Sequence, residues 1–448
     1  PTSTRQCQGK YNIPTRENTG MRIGVIGGGG HVGLPLGIIL ADAGFSVTLI
    51  DKDEERLDMI ESGELPFNEP GGELLLEDAL SEGRIETTTK IEQTAACDVV
   101  FFIIGTPIDE HHNPQMDILL DVVKEVRACL GEDQLLVFRS TIYPGTTNLV
   151  CELIEDAGYS VGNDVYVSFA PERIAQHNAF EEIVGLPQLI GAPDEESYRR
   201  TANVFETFLE ADCLRLNPTE AELGKLFTNM WRYLTFAAAN EFHLITESFA
   251  THHDVNVNKI LDKTSYNYPR FDVPSPGANV GGPCLTKDGW FLVDNIPFNE
   301  LVSTAYQINE GMPAQIIDRM ENKCSQPEKI SILGMTFKRN SDDTRNSVSF
   351  KMEKQLKMKG YRSIVKVEPN ADGFDDLQEI EGSDWVILMT PHDEFGKFRA
   401  IHDRVNNEDC LYCDLWGTWD ISRYESDNGY FFPHEIDNED VAIETEVA

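Results

Sequence analysis

The sequence predicts an α/β protein with a doubly wound N-terminal domain, a central helical segment and a C-terminal α/β domain. Short apolar runs alternate with helical patterns in the first half of the chain, and a second alternation of this kind begins near Lys329. A long helical pattern that starts near residue 219 separates the two regions. Strands that alternate with helices form parallel sheets with helices on their faces, so these observations define the fold class.

The N-terminal domain is predicted from five strand-like runs and a glycine-rich turn. The runs are Met21–Ile26, Ser46–Ile50, Asp98–Ile104, Leu135–Phe138 and Val165–Phe169. Between the first two runs, the turn Gly27–Gly33 is followed by a helical apolar pattern over Leu34–Ala43. Short apolar runs bounded in this way are typical of strands that are buried on both faces of a sheet.

The central and C-terminal regions have different patterns. Thr219 and Glu222 have the spacing of a capping box, which predicts a helix from there to about Phe249. Residues 265–283 are rich in Pro, Gly, Tyr and Asn and predict an ordered loop. A strand, a helix and a strand are then predicted at Ile330–Leu333, Ser347–Lys359 and Trp385–Met389.

These patterns divide the chain into five parts. We expect an N-terminal extension (1–20), a dinucleotide-binding domain (21–212), a central helical segment (213–325), a C-terminal α/β domain (326–425) and an acidic tail (426–448).

The balance of charge excludes several partners. The 448 residues include 37 basic and 76 acidic side chains, and the formal net charge of −39 opposes binding to nucleic acid or to an anionic membrane surface. No apolar run approaches the roughly 18 residues that a membrane-spanning helix needs. Such acidity is typical of a protein adapted to high salt, and also of an ordinary acidic enzyme. The sequence leaves both interpretations open.

The cysteines indicate a reducing compartment. Nine cysteines are an odd number and are dispersed along the chain, which favours reduced thiols in a cytoplasm over a disulfide framework. Cys410 and Cys413 form an isolated C-x-x-C. Because no second pair stands near them, we expect no metal site there.

The glycine-rich turn has the pattern that binds a dinucleotide. Gly28, Gly30 and Gly33 form a G-x-G-x-x-G motif between a strand and a helix, and Asp51 ends the next strand. The glycines allow a pyrophosphate to approach the helix N-terminus, and the acid at the ribose favours NAD over NADP. Arg56 complicates this choice, because it could neutralise a 2′-phosphate. The alternative is a glycine-rich turn without a ligand.

Two further groups of residues are candidates for chemistry. Lys225 and Asn229 lie four apart on one face of the predicted helix, where a lysine is costly to bury without a purpose. The alternative is a lysine at the helix edge with its charge in water. Cys284 follows two glycines in the segment Gly281–Asp288, and a helix beginning after it would lower the pKa of its thiol. Alone, this cysteine is more often a small buried apolar residue.

Seven stretches together resemble the UDP-glucose/GDP-mannose dehydrogenase family over essentially residues 21–400. They are Gly28–Pro35, Ser140–Thr147, Ala170–Ile174, Glu222–Asn229, Phe236–Phe242, Gly281–Asp288 and Gly334–Ser347. This family oxidises the C6 alcohol of a nucleotide sugar to a carboxylate with two NAD and one water. The resemblance implies a Rossmann-type NAD domain, a central helix that supports a homodimer or higher homo-oligomer, and a Rossmann-like C-terminal domain that holds UDP.

The resemblance also implies roles for individual residues. Cys284 would capture the aldehyde as a thiohemiacetal, which is oxidised to a thioester and hydrolysed. Lys225 and Asn229 would stabilise the oxygen at C6, and Asp288 would orient water or accept a proton. Thr141 and Glu172 would lie near the reacting carbon, with Glu172 as a candidate base.

The remaining roles are binding roles. The residues implied to bind the cofactor are Gly28, Gly30, His31, Val32, Gly33, Asp51, Arg56, Thr106, Thr141, Lys287 and Arg345. Those implied to bind the substrate are Glu172, Arg173, Ile174, Lys225, Asn229, Arg270, Gly277, Gly281 and Lys338. Arg270 would reach the site of a neighbouring subunit.

The departures from the family pattern bear on the substrate. His31 stands where Tyr or Phe is common, which a cofactor-facing turn should tolerate. The stretches Ala170–Ile174 and Tyr268–Arg270 lean towards the N-acetylhexosamine branch, so UDP-N-acetylhexosamine or UDP-glucose is the expected substrate.

Two other functions remain possible at this point. One is a two-electron NAD-dependent hydroxyacid or sugar-phosphate dehydrogenase, which has no need of Cys284. The other is a catalytically silent protein that binds nucleotide sugars. The presence of Cys284, Lys225, Asn229 and Asp288 together counts against the silent protein.

Overall fold

The structure is a computed structural model that describes residues 20–107, 115–250, 252–253, 255–293, 297, 299–324, 326–419 and 428–433. The expected extension, apart from Gly20, and most of the expected tail lie outside the described residues. The chain divides into two units, one of Pro1–Phe227 with Trp290–Leu292 and one of Thr228–Gly289 with Val293–Ala448.

The first unit contains an eight-stranded sheet. Its strands are β1 (Arg22–Ile26), β2 (Ser46–Ile50), β3 (Ile85–Thr88), β4 (Val99–Phe102), β5 (Gln134–Phe138), β6 (Val165–Phe169), β7 (Gln188–Gly191) and β8 (Cys213–Leu216). They lie in the order β3-β2-β1-β4-β5-β6-β7-β8. Strands β1 to β6 pair in parallel, as predicted, but β7 runs antiparallel to β6, so the prediction of a parallel sheet is wrong at that pair.

Among the described residues of this unit, seven α-helices connect the strands. They are α1 (Gly33–Asp42), α2 (Glu54–Glu61), α3 (Gly72–Ser81), α4 (Asp117–Arg127), α5 (Thr146–Glu155), α6 (Ala179–Gly185) and α7 (Glu195–Phe205). Every residue of β4, β5 and β6 is buried, which explains why these strands are predominantly apolar. Because β1 lies between β2 and β4, the strand order reverses there, and doubly wound sheets bind ligands at the carboxyl ends of the strands at such a reversal.

A single helix of 33 residues, α8 (Pro218–Ala250), runs through the boundary between the units. The long predicted helix is therefore confirmed, but its predicted capping box is wrong. The reciprocal cap is formed by Asn217 and Glu220, whose side chains each accept the backbone N–H of the other residue at 2.9 Å. Glu222 bonds elsewhere, as described below.

The second unit contains a five-stranded sheet and the remaining helices. Its strands are β9 (Lys329–Leu333), β10 (Ser363–Val367), β11 (Trp385–Leu388), β12 (Leu411–Cys413) and β13 (Tyr430–Phe431), in the order β10-β9-β11-β12-β13. The last pair is antiparallel. The helices are α9 (Val257–Ser265), α10 (Leu285–Asp288), α11 (Trp290–Val293), α12 (Glu300–Lys323), α13 (Ser349–Lys359) and α14 (Phe398–Val405); α11 crosses the unit boundary.

The C-x-x-C cysteines belong to the interior of this second sheet. Cys410 and Cys413 are both buried, and burial raises the pKa of both thiols well above the ordinary value. Among the described residues, no three His, Cys, Asp or Glu side chains cluster as metal ligands would. In the same part of the chain, no helix combines the length and apolar character needed to cross a bilayer.

Candidate active site

The glycine-rich turn of the first unit is shaped to admit a ligand on one side. At Gly33 a Cβ atom would lie 2.1 Å from the carbonyl oxygen of Gly27, so this position requires glycine for packing. At Gly30 the nearest atom is again that oxygen, but at 3.4 Å, so this side of the turn is open. The first N–H groups of α1, including those of Val32 and Gly33, follow directly and are typical donors to an anion. The turn therefore fits the pyrophosphate of a dinucleotide.

Asp51 lies beside this turn at the end of β2. Its Oδ2 accepts the N–H of Gly29 at 2.9 Å, and its Oδ1 accepts the N–H of Asp53 at 3.2 Å. Both oxygens keep further acceptor capacity for the hydroxyls of a ribose. Arg56 Nε lies 3.3 Å from Asp53 Oδ2, and both side chains are about two-fifths exposed. The arginine is thus engaged by Asp53.

The neighbouring cofactor candidates also lie in the first unit. The His31 ring lies 4.2 Å from the ring of Phe67. Thr106 is buried, and its hydroxyl donates to the backbone oxygen of Thr141 at 2.6 Å. The turn of β1 and the loops after β4 and β5 are therefore brought to one edge of the sheet, whereas Lys287 and Arg345 lie in the second unit.

Glu172 follows β6 and is fully engaged. Its carboxylate forms a buried ion pair with Arg139 and accepts the N–H groups of Arg173 at 2.7 Å and Ile174 at 3.0 Å. Burial alone raises the pKa of Glu172, but the charge and hydrogen bond of Arg139 outweigh it and lower the pKa overall. A carboxylate with a lowered pKa is a weak base, so the contacts favour a role for Glu172 in holding the loop.

Three polar residues line one side of α8. Glu222 is fully buried and accepts from the N–H of Gly145 at 2.5 Å, the N–H of Thr147 at 2.8 Å and the Thr147 hydroxyl at 2.6 Å. It therefore caps the N-terminus of α5 from a distant part of the chain. Lys225 lies one turn along the helix and Asn229 one turn further, with exposures of 8% and 7%.

In the second unit, Cys284 stands at the beginning of a short helix, which is the condition considered in the sequence analysis. It is the N-cap residue of α10, and its carbonyl oxygen accepts the N–H of Asp288 at 3.0 Å. The side chain of Cys284 is exposed, whereas Asp288 is fully buried. Asp288 Oδ2 accepts from Asn229 Nδ2 at 2.6 Å, and Lys287 Nζ lies 3.0 Å from Oδ1. Asn229, Lys287 and Asp288 thus form one polar cluster beside an accessible cysteine.

Arg345 adds positive charge near this cysteine. Its guanidinium forms a bidentate pair with Asp343, with distances of 2.6 to 3.1 Å. This hydrogen bonding raises the pKa of Arg345, and negative charge at Cys284 raises it further, so the two residues are within electrostatic range. Lys338 is half-buried in the same loop after β9.

The loop after β9 is fixed by a buried acid. Glu368 Oε2 accepts the N–H groups of Met335 at 2.8 Å and Thr336 at 2.9 Å, and it lies 3.0 Å from His392 Nε2. Burial raises the pKa of Glu368, but the hydrogen bond from His392 and those from backbone N–H groups reverse the effect and hold the pKa at about 2. The loop that carries Lys338 is therefore rigidly placed.

Asn279 joins the cysteine segment to this loop. Its buried amide nitrogen lies within 3.2 Å of four oxygens, those of the Thr336 carbonyl and of the Ser347, Ser349 and Thr390 hydroxyls. Its Oδ1 accepts the N–H of Val348 at 2.8 Å. These bonds hold the segment before Cys284 in place.

The other predicted substrate residues of the second unit differ in their surroundings. A Cβ atom at Gly277 would lie 2.3 Å from the Trp416 ring, and one at Gly281 would lie 2.6 Å from the Asn346 oxygen, so both glycines allow close packing within the protein. Arg270 is exposed, and its guanidinium lies 4.9 Å from the Tyr268 ring centre.

Reasoning from the sequence missed three buried polar residues that shape these loops. They are Glu69, Glu222 and Asn279. Only Glu222 had a local pattern, and that pattern suggested the wrong partner. The partners of all three residues lie more than 50 positions away along the chain.

Comparison with known proteins identifies the family. Residues 21–209 match the NAD binding domain of the UDP-glucose/GDP-mannose dehydrogenase family, residues 219–311 its central domain, and residues 331–421 its UDP binding domain.

Individual relatives agree with this assignment. The UDP-N-acetyl-D-mannosamine dehydrogenase of Pyrococcus horikoshii is 31% identical over 385 residues, which cover 84% of this chain and 90% of the relative. A solved structure of the UDP-D-ManNAc dehydrogenase from that organism has a TM-score of 0.79 at 30% identity and covers 86% of this chain and 93% of its own. The UDP-N-acetyl-mannosamine dehydrogenase structure from Staphylococcus aureus has a TM-score of 0.79 at 25% identity, with coverages of 89% and 95%.

The architecture and the glycine-rich turn with Asp51 therefore indicate the same family as the three matching domains. The chain belongs to the UDP-glucose/GDP-mannose dehydrogenase family, whose members are NAD-dependent nucleotide-sugar dehydrogenases.

Proposed function

We propose that this enzyme oxidises the C6 alcohol of a UDP-N-acetylhexosamine, in the first place UDP-N-acetyl-D-mannosamine, to the uronate. The relatives named above act on that sugar nucleotide according to their names, and the Ala170–Ile174 stretch leans the same way. The observation that carries a four-electron reaction is the exposed Cys284 beside the buried cluster of Asn229, Lys287 and Asp288. A two-electron oxidation needs no such nucleophile.

NAD, when bound, supplies the hydride acceptor. The Cys284 thiolate adds to the aldehyde carbon, so a C–S bond forms and the carbonyl oxygen becomes an oxyanion that takes a proton. Loss of hydride from that carbon and of the proton from its hydroxyl leaves a thioester on Cys284. Water then adds, the C–S bond breaks, and the carboxylate, the thiol and one proton are released.

The charged groups would assist these steps in different ways. Lys225 would stabilise the oxyanion, because its ammonium complements the negative charge that develops there. Asp288 would accept a proton from water, with its orientation fixed by Asn229 and Lys287. Arg345 near Cys284 would favour the thiolate form of the nucleophile.

A panel of sugar nucleotides tests the proposal. We expect two NADH per sugar from UDP-N-acetyl-D-mannosamine, and lower kcat/KM with UDP-glucose and GDP-mannose. One NADH per sugar would indicate a two-electron dehydrogenase, and no NADH from any substrate would indicate a silent binding protein.

Repeating the assay from low to molar KCl separates the two interpretations of the −39 charge, since a protein adapted to high salt gains activity over that range.

We further propose that the enzyme is a homodimer or a higher homo-oligomer joined through α8. The helix exposes Phe227, Trp231, Ile245 and Phe249, with Trp231 at 67% and Phe227 at 56%. Phe227 and Ile245 are 18 residues apart, as are Trp231 and Phe249, so both pairs repeat after about five turns and share one face. A large exposed apolar stripe of this kind is typical of a subunit interface.

Sedimentation tests the interface. The double variant Trp231→Glu/Phe249→Glu should sediment as a smaller species than the wild type, because two charges would be buried in the contact. The control is Leu301→Glu, which adds one charge at an exposed apolar residue on another helix, α12. A variant that sediments like the wild type contradicts an interface on this stripe.

A further inference from the structure

The segment between α2 and α3 contributes a buried carboxylate, that of Glu69, which takes no part in the mechanism proposed above. Glu69 is 4% exposed. Its Oε2 accepts the N–H of His177 and its Oε1 accepts the N–H of Ala179, each at 2.8 Å. Each carboxylate oxygen thus holds one backbone donor that lies more than 100 residues away.

The loop that receives these bonds needs an outside acceptor. His177 has φ +75°, a left-handed conformation that costs a non-glycine residue free energy. Helix α6 begins at Ala179, and the side chain of its N-cap residue Asn178 makes no capping hydrogen bond. The first N–H groups of a helix have no partner within it, so Glu69 performs the capping from a distant segment.

Carboxylates accept five of the backbone N–H groups of this loop. Glu172 accepts the N–H groups of Arg173 and Ile174, and Glu182 accepts that of Ala175 at 2.5 Å. Glu69 accepts the N–H groups of His177 and Ala179. Of these three acids, Glu69 is the one contributed by a separate segment, so it ties the loop to the body of the unit.

The Glu69 carboxylate is itself held in a fixed position. Two residues before it, Phe67 packs against His31 with ring centres 4.2 Å apart. Three residues after it, Gly72 packs so closely that a Cβ atom would lie 2.7 Å from the Phe180 ring. The segment is therefore anchored on both sides of Glu69.

We propose that Glu69 is a positioning residue that sets the conformation of the loop 172–179 and thereby the recognition of the sugar. The part that concerns the sugar rests on the proposed function, together with the expectation from the family resemblance that Glu172, Arg173 and Ile174 bind the substrate. Glu69 does not take part in the chemical steps.

Hydrogen exchange of the substrate-free protein tests the structural half. In Glu69→Gln the amide has one acceptor oxygen, and its NH2 group faces a backbone N–H. We expect exchange in peptides covering 173–182 to accelerate at least tenfold, with β1 to β6 unchanged. Glu73→Gln is the matched control, because it removes the same charge at an exposed position in the first turn of α3. Glu69→Asp keeps the charge, but its side chain is shorter. We expect its exchange rate in these peptides to lie between those of the wild type and Glu69→Gln, so it provides the test if the glutamine variant folds poorly.

Steady-state kinetics tests the functional half. Glu69→Gln should raise the KM for the sugar nucleotide about tenfold, with kcat changed less than threefold and the Kd for NAD unchanged. Unchanged exchange at 173–182, or acceleration spread evenly over the first unit, would overturn the proposal. If the wild type makes no NADH from any sugar nucleotide, the proposed function fails, and the exchange result still decides the role of Glu69.

Discussion

Replacing Cys284 with Ala should lower the rate of NADH formation from the sugar nucleotide by about 10³-fold or more, the range found when a covalent nucleophile is removed. Without the thiol, the aldehyde cannot form the covalent thiohemiacetal. The second hydride leaves the carbon atom of that adduct, so the second oxidation is blocked. The first oxidation does not need the thiol. Rapid mixing of enzyme, NAD and substrate should therefore show at most one NADH per active site, followed by a stall.

The matched control is Cys129→Ser, which alters a half-buried thiol just after α4 and should retain wild-type turnover. Mass spectrometry of the quenched wild-type reaction should detect a sugar adduct on the peptide that contains Cys284. Two NADH per sugar from Cys284→Ala at a rate within tenfold of the wild type would remove this cysteine from the mechanism.

Replacing Gly33 or Gly30 with Ala should separate the stability of the glycine-rich turn from its affinity for NAD. At Gly33 the new methyl group would lie 2.1 Å from the Gly27 oxygen, so α1 must move away from β1. We expect the free energy of unfolding without NAD to fall by about 2–4 kcal/mol. At Gly30 the nearest atom lies at 3.4 Å, and the stability should change by less than about 1 kcal/mol.

Gly30→Ala should weaken the binding of NAD even though it changes the stability of the protein little. Its methyl group would occupy the open side of the turn, where the pyrophosphate would approach, so the Kd for NAD should rise on the order of 10- to 100-fold. Urea unfolding and a fluorescence titration with NAD measure the two quantities. Equal stability of the two variants would contradict the packing at Gly33, and unchanged affinity in Gly30→Ala would place the cofactor elsewhere.

The parts of the fold that could be predicted are those with a local signal. The strands Ser46–Ile50 and Val165–Phe169 can be predicted with the bounds that the structure shows, because runs rich in β-branched and aromatic residues are typical of strands. The glycine-rich turn and the helix after Cys284 also depend on adjacent residues. The reversed strand β7 could not be predicted, since a four-residue strand has no pattern that reveals its direction.

The candidate site shows the same division. Cys284, Lys225 and Asp51 stand in recognisable motifs, but the groups that orient the surrounding loops do not. Glu69, Glu222 and Asn279 act through backbone donors or hydroxyls that only the folded chain brings near them. A buried carboxylate and an exposed one look alike in a sequence, and only their distant partners distinguish them.

The length of helix α8 limits which insertions and deletions of residues this protein can tolerate. Glu222, Lys225 and Asn229 occupy one side near its start, and the apolar stripe extends to Phe249 near its end. One inserted residue would rotate everything after it by about 100°, so the polar residues and the stripe would no longer keep their mutual orientation. Insertions or deletions in this helix should therefore be tolerated only near whole numbers of turns, such as about 7, 11 or 18 residues.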